Sequence, residues 1–281
     1  MQKFRLANFC LIIITLAMTR CCFAIVGGKV VNPPNSLPWI VSIRLGGRNQ
    51  CGGSLIAPRW MVTAGHCGDE KDFGFETKTP TQKTPSYRKP KRRVTIFISG
   101  IQSEIPIYRA KIYLHPEFSR IILQHDIALW NFDFSIEIGR WPVLDASPNY
   151  HAGWLAMAFG WGSDWQFGSM SHNLHNVVLP ILAKDACRIA LGDSFLRPGM
   201  MCAGGLENQD TCKGDSGGPL ILLPSSSADV RSLTTLVGIV SWGLQCGLNG
   251  YPGIYTSVSE HVTWINGLIG KNGDQKDELK R

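Results

Sequence analysis

The run Asp210-Thr211-Cys212-Lys213-Gly214-Asp215-Ser216-Gly217-Gly218-Pro219 constrains this chain more than any other. Glycines on both sides of one serine let the main chain turn where a Cβ would intrude. Such a turn can aim backbone N–H groups at the point where a serine-centred reaction builds negative charge. A serine hydroxyl is a weak nucleophile, so it needs a base beside it and an acid to orient that base. The chain offers Thr63-Ala64-Gly65-His66-Cys67 for the base and His125-Asp126-Ile127-Ala128-Leu129 for the acid. Any fold that serves this reading must bring three distant segments to one point.

Length and composition narrow the choice. A chain of 281 residues holds one large domain or two small ones. With 17% charged residues and 30 glycines it suits strands and turns better than helices. Residues 1–24 read as a signal peptide. Lys3 and Arg5 give the basic start, Phe9 to Met18 the apolar middle, and Cys22-Phe23-Ala24 the cleavage signal. The apolar run is far short of the roughly 20 residues a span needs, so no membrane anchor is expected. The full chain is +7; Lys3, Arg5 and Arg20 leave with the signal, so the remainder is about +4. That mild charge does not imply nucleic-acid or membrane partners.

Nine cysteines are present, and Cys10, Cys21 and Cys22 lie in the signal. The six left (Cys51, Cys67, Cys187, Cys202, Cys212 and Cys246) are an even number, as an oxidising compartment favours. Their spacing alone permits fifteen pairings.

Further motifs run through the chain: Ile25-Val26-Gly27-Gly28, Cys51-Gly52-Gly53-Ser54-Leu55, Gly160-Trp161-Gly162, Ser241-Trp242-Gly243 and Pro252-Gly253-Ile254-Tyr255. With the Ser216, His66 and Asp126 motifs they stand in the order found in trypsin-like serine proteases of the chymotrypsin fold, over about residues 25–269. The chain resembles that family. The resemblance implies an all-β fold of two packed six-stranded antiparallel β-barrels with a short C-terminal helix. The N-terminal barrel is expected over about residues 25–143, the C-terminal barrel over about 144–259 and the closing helix over 260–269. Residues 270–281 form a polar tail.

The residues themselves agree with that expectation. Apolar runs suited to strands cover Trp39 to Ile43, Cys51 to Ile56, Trp60 to Ala64, Val94 to Ser99 and Ile107 to Leu114. A second set covers Trp154 to Gly162, Val177 to Leu182, Gly199 to Ala203, Pro219 to Leu223, Leu236 to Trp242 and Gly253 to Val258. Val262, Ile265 and Leu268 fall at helical spacing in Glu260 to Leu268. Residues 68–93 are rich in Lys, Arg, Thr and Pro without apolar period. They read as a solvated loop, either a tolerated insertion or a basic surface for acidic substrates.

The resemblance assigns roles. Ser216 is the nucleophile, His66 the base and Asp126 its orienting acid, with the Gly214 and Ser216 N–H groups as the oxyanion hole. Asp210, Thr211, Ser241, Trp242, Gly243 and Gly253 shape the substrate pocket, and Asp210 at its base implies cleavage after Arg or Lys. Disulfides Cys51–Cys67, Cys187–Cys202 and Cys212–Cys246 follow, and the free amine of Ile25 pairs with Asp215. The family's zymogens carry Arg or Lys before that isoleucine; Ala24 stands here, so signal removal would itself expose Ile25.

Gly65 replaces the usual alanine, and little damage is expected from so small a change. His125, the neighbour of Asp126, is assigned to the surface. The segment Gly100 to Pro106 reads as a turn with one carboxylate, Glu104, too few for the family's calcium site. No metal and no cofactor are expected. Partners are protein or peptide substrates and protein inhibitors of serine proteases, with no nucleic acid, and the protein is expected to be a secreted monomer.

Two other readings compete. Gly214-Asp-Ser-Gly-Gly also fits the elbow of α/β-hydrolases, but that fold needs acid and then His after the serine, and only His261 follows Ser216. The other is a catalytically weak or inactive binding protein on a protease scaffold, using its basic loop. Absence of a serine-dependent rate would favour it.

Overall fold

The structure is a computed structural model that describes residues 25–68, 93–147, 151–223 and 235–271. The expected signal peptide over 1–24, the basic loop over 69–92 and the expected polar tail from 272 lie outside the described residues.

Two curled sheets form the molecule. The first has seven strands: β2 (Ile40–Leu45), β3 (Arg48–Ala57), β4 (Trp60–Thr63), β5 (Val94–Ile98), β6 (Ser103–Pro106), β7 (Ala110–Leu114) and β8 (Ala128–Phe132). Their order is β6-β5-β2-β3-β4-β8-β7, and every pair in it is antiparallel. β2, β4 and β8 are almost wholly buried, as near-continuous apolar runs require.

The second sheet has eight strands: β1 (Lys29–Val30), β9 (Val143–Leu144), β10 (Leu155–Gly160), β11 (His175–Pro180), β12 (Met200–Gly204), β13 (Pro219–Leu222), β14 (Thr235–Trp242) and β15 (Pro252–Ser257). The path runs β1-β11-β10-β13-β14-β15-β12, with β9 parallel to β14.

Both sheets exceed the expected six strands. In the first, Gly100 to Pro106 is more than a turn, because Ser103–Pro106 pairs with β5. In the second, the two-residue β1 crosses over from the start of the described chain to pair with β11. Glu104 on β6 faces Arg44, which forms an ion pair with it.

Two helices complete the fold. α1 (Lys184–Leu191) is absent from the sequence reading. Its N-cap is Ala183, which has no side-chain oxygen, so the usual start signal is missing. It is tethered by Cys187, which is bonded to Cys202 of β12. α2 (Val262–Lys271) closes the chain with Ile265 fully buried against the core of the first sheet.

That core holds Trp39, Trp60, Trp130 and Phe132 at zero exposure. A separate cluster under the second sheet gathers Ala156, Ala158, Leu179, Leu220, Tyr255 and Ile25. All three cysteine pairs form as the resemblance implied: Cys51–Cys67, Cys187–Cys202 and Cys212–Cys246. No helix among the described residues is long and apolar enough to cross a membrane.

Candidate active site

Three loops converge where the two sheets meet. His66 lies in the turn after β4, tied back by the disulfide of its neighbour Cys67 to Cys51 on β3. Asp126 stands two residues before β8, the strand that pairs with β4. Their nearness follows from that register.

Asp126 is completely buried, and a carboxylate there needs donors. It has three. The His66 amide donates to Oδ1 at 2.8 Å, His66 Nδ1 lies 2.8 Å from Oδ2, and the Ser241 hydroxyl donates to Oδ2 at 2.5 Å. The Thr256 hydroxyl donates to the Asp126 carbonyl at 2.8 Å. With Nδ1 directed at a carboxylate, Nε2 is the nitrogen left to act as base.

Ser216 is half-buried, and its carbonyl accepts the Gly52 N–H at 2.7 Å. Gly217, at φ +81°, explains the glycine beside it. A Cβ there would collide with the Thr63 hydroxyl and stand 2.5 Å from the Gly52 carbonyl. Only a bare backbone lets the Ser216 loop lie this close to the first sheet.

Sequence reasoning missed Asn49, which no short motif flags. Its side chain donates to the Gly214 carbonyl at 2.9 Å, and its own oxygen accepts the Ser42 hydroxyl at 2.7 Å. This buried pair holds one peptide of the loop that carries Ser216. Ser241 has a second role: its hydroxyl is committed to Asp126, although the residue also lines the pocket.

The pocket beside Ser216 has a volume of about 280 Å³, with Asp210 at 3% exposure in its lining. Asp210 accepts N–H groups from Thr211 (2.8 Å) and Gly247 (3.1 Å). Burial nevertheless pushes its carboxyl up to about 7, against the opposing pull of those two donors. The Thr211 hydroxyl is within 3.3 Å of the Tyr255 hydroxyl. A Cβ on Gly253 would stand 3.1 Å from Asp210 Oδ1, whereas one on Gly243 would meet nothing within 4 Å. A second cavity of about 390 Å³ adjoins Trp242 and is lined by Ile121, Ile122, Leu123 and Phe195.

Asp215 is fully buried, and Gly162 and Cys212 donate their N–H groups to it at 2.7 and 2.9 Å. Burial first, and then the Asp210 charge, push its carboxyl up to about 7. Ile25 lies in the core of the second sheet with φ +59°, and Val26 exchanges backbone hydrogen bonds with Asp210 at 3.0 and 3.2 Å.

Phe118 fills the space beside Gly65: an added Cβ would lie 2.8 and 2.9 Å from two of its ring carbons and 3.0 Å from Ile127 N. Gly65→Ala is therefore expected to displace Phe118, lower stability by about 1–3 kcal/mol and slow any reaction at His66. Thermal unfolding and peptide hydrolysis of the variant check this.

His125 is not a surface residue. Its side chain is 14% exposed and stacks on His115, with Nδ1 2.9 Å from His261 Nε2. The three histidines are far apart in sequence, so no spacing announced them.

Comparison with known proteins gives a consistent picture. The family model described as Trypsin matches residues 25–265. Human Serine protease 56 is 34% identical over 95% of this chain and 42% of its own length. Human Transmembrane protease serine 5 is 32% identical over 86% of this chain and 51% of its own length, and human Transmembrane protease serine 11A 29% over 87% and 55%. The chain thus spans about half the length of these relatives.

Proposed function

The chain belongs to the trypsin family of serine proteases, and from that premise we propose that it is a secreted endopeptidase cleaving after Arg or Lys through His66, Asp126 and Ser216. The observation that carries the reading is the buried Asp126 carboxylate, bonded to both the amide and the ring of His66. A buried acid so placed fixes one imidazole tautomer and stabilises the charge that ring gains.

The proposed steps use these residues in turn. Ser216 Oγ attacks the scissile carbonyl while His66 Nε2 takes its proton. The Gly214 and Ser216 N–H groups receive the developing oxyanion, with Asn49 holding the Gly214 carbonyl. His66 then returns the proton to the leaving amine, and water repeats the sequence on the acyl-enzyme.

Specificity rests on Asp210. A buried acid beneath a cavity of about 280 Å³ favours a long cationic side chain, whose charge would draw the raised carboxyl back to its ionised form. The cavity beside Trp242, with Ile121 and Phe195, suits apolar residues upstream of the cut. Three disulfides and the signal-like residues 1–24 support secretion.

Peptide reporters that differ only in the residue before the cut (Arg, Lys, Phe, Ala) test this. Arg and Lys peptides are expected to be cleaved well and the others poorly. Asp210→Ser should lower kcat/KM for the arginyl peptide about a thousandfold, as removal of one partner of a buried pair does. Below about pH 7 Asp210 gains a proton in the free enzyme, so the KM of the arginyl peptide should rise as pH falls. Rapid cleavage after Phe or Ala with a flat KM profile would sink the pocket reading. No cleavage of any peptide would favour a binding role.

A further inference from the structure

The His115, His125 and His261 side chains meet outside the proposed triad and do nothing in the mechanism above. We propose that they form a binding site for a divalent transition metal of the zinc class, whose occupation slows hydrolysis by restraining the segment that carries Asp126. The second half of this proposal rests on the triad reading.

Each histidine offers a ring nitrogen, and the three nitrogens lie within 4.8 Å of one another. His125 Nδ1 and His261 Nε2 are 2.9 Å apart. Two ligand nitrogens on tetrahedral zinc stand about 3.3 Å apart, so the pair needs to open by only a few tenths of an ångström. Imidazole suits zinc, copper and nickel far better than calcium or magnesium.

Tautomers decide the rest. His261 Nδ1 lies 2.6 Å from the Ser257 carbonyl, so its proton is there and Nε2 carries a lone pair. His125 Nδ1–H donates to that lone pair in the metal-free chain. Shifting this proton to Nε2 of His125 frees both nitrogens for one cation. The shifted proton meets an acceptor, because Glu117 Oε2 is 3.4 Å from His125 Nε2. Each of these two ligands then donates its other N–H to a carbonyl or carboxylate, the arrangement that orients metal-binding imidazoles.

Burial leaves His115 and His261 below the ordinary histidine range, His115 at about 4. The third ring, His115, stacks on His125 with centroids 4.7 Å apart, and its Nδ1 accepts the Glu117 N–H at 3.3 Å. Gly199 closes one side: an added Cβ would lie 2.8 Å from His261 Cε1 and 2.9 Å from His125 Nδ1. Trp264 stands edge-on to His115 at 5.1 Å.

The link to the triad is covalent and short. His125 precedes Asp126, has φ +48°, and its carbonyl accepts the Ile127 N–H at 2.8 Å. On the other side, Thr256 binds the Asp126 carbonyl and the next residue, Ser257, holds His261. A cation that parts His125 from His261 pushes on both supports of Asp126.

The test titrates Zn²⁺ alone into the purified, disulfide-bonded protein by calorimetry, with Co²⁺ absorption reporting coordination. The expected result is one tight equivalent with a tetrahedral Co²⁺ spectrum. Affinity should fall at least tenfold in His125→Asn and about tenfold in Glu117→Gln, whose exposed position does not threaten folding. Saturating Zn²⁺ should slow peptide hydrolysis by the wild-type protein and leave His125→Asn unaffected. Equal affinity in all three proteins overturns the site. Tight binding with unchanged hydrolysis overturns the coupling to Asp126. Tight binding in a protein with no hydrolysis before zinc is added supports the site and counts against the protease reading.

Discussion

Alanine at Ser216 is expected to lower kcat for an arginyl peptide by about 10⁴-fold or more, with KM and thermal stability nearly unchanged. The expectation rests on what remains after the hydroxyl is removed. Asp126 keeps its donors from His66 and Ser241, Asn49 still holds Gly214, and the disulfides still pin Cys67 and Cys212. The variant should therefore still bind substrate in the Asp210 pocket and offer its oxyanion donors, losing only the attacking atom. Active-site titration, hydrolysis and unfolding of the same preparation read out the three properties. A Ser216→Ala protein within tenfold of wild type would remove the serine from the mechanism.

The second large effect concerns Ile25. A chain that keeps Ala24 joined to Ile25 is expected to be at least a hundredfold less active than one that begins at Ile25. Two observations carry this. Asp215 is buried with two N–H donors and no cation paired with it among the described residues, and burial raises its carboxyl to about 7. Ile25 is buried in the left-handed region, where a β-branched residue is strained against the preceding carbonyl. Cutting before Ile25 removes that carbonyl and creates an ammonium for Asp215.

The pH dependence has a definite sign. Between about pH 4 and 7 the uncut folded chain holds a proton on Asp215 that the unfolded chain has lost. Its stability is complete below that window and falls as pH rises through it, by on the order of 4 kcal/mol. In the cut chain the ammonium is expected to draw the Asp215 carboxyl down, so the decline should shrink. Asp210 is raised in the same direction in both chains and largely cancels in the comparison. Melting curves should therefore coincide near pH 4 and diverge towards pH 7–8, with the cut chain higher. Above the α-amine's own range, ordinarily about 8, the ammonium deprotonates and the advantage should fade. Curves that stay parallel across pH would remove the pair, and full activity with Ala24 attached would remove its functional role.

Much of the fold was readable from local patterns. The apolar runs at Trp39 to Ile43, Trp60 to Ala64 and Leu236 to Trp242 became β2, β4 and β14 because burial on both faces leaves a continuous signature. β6 was read as a turn because Ser103, Glu104 and Pro106 carry no strand pattern; it is an edge strand fixed by pairing to β5. α1 was missed because Ala183 cannot cap, and the bond from Cys187 to Cys202 anchors that helix to β12.

By itself the sequence marked the candidate chemistry-bearing residues. His66, Asp126, Ser216 and Asp210 each sit in a short string whose glycines and cysteines are part of the signal, so neighbours along the chain suffice to mark them. Tertiary structure alone decided what surrounds them. Ser241 on Asp126, Asn49 under Gly214, Phe118 in the space left by Gly65, and the meeting of His115, His125 and His261 all join residues from separate elements. The physical reason is that a motif records local backbone geometry, whereas a hydrogen bond or a ligand cluster records where the folded sheets bring distant side chains to within about 3 Å.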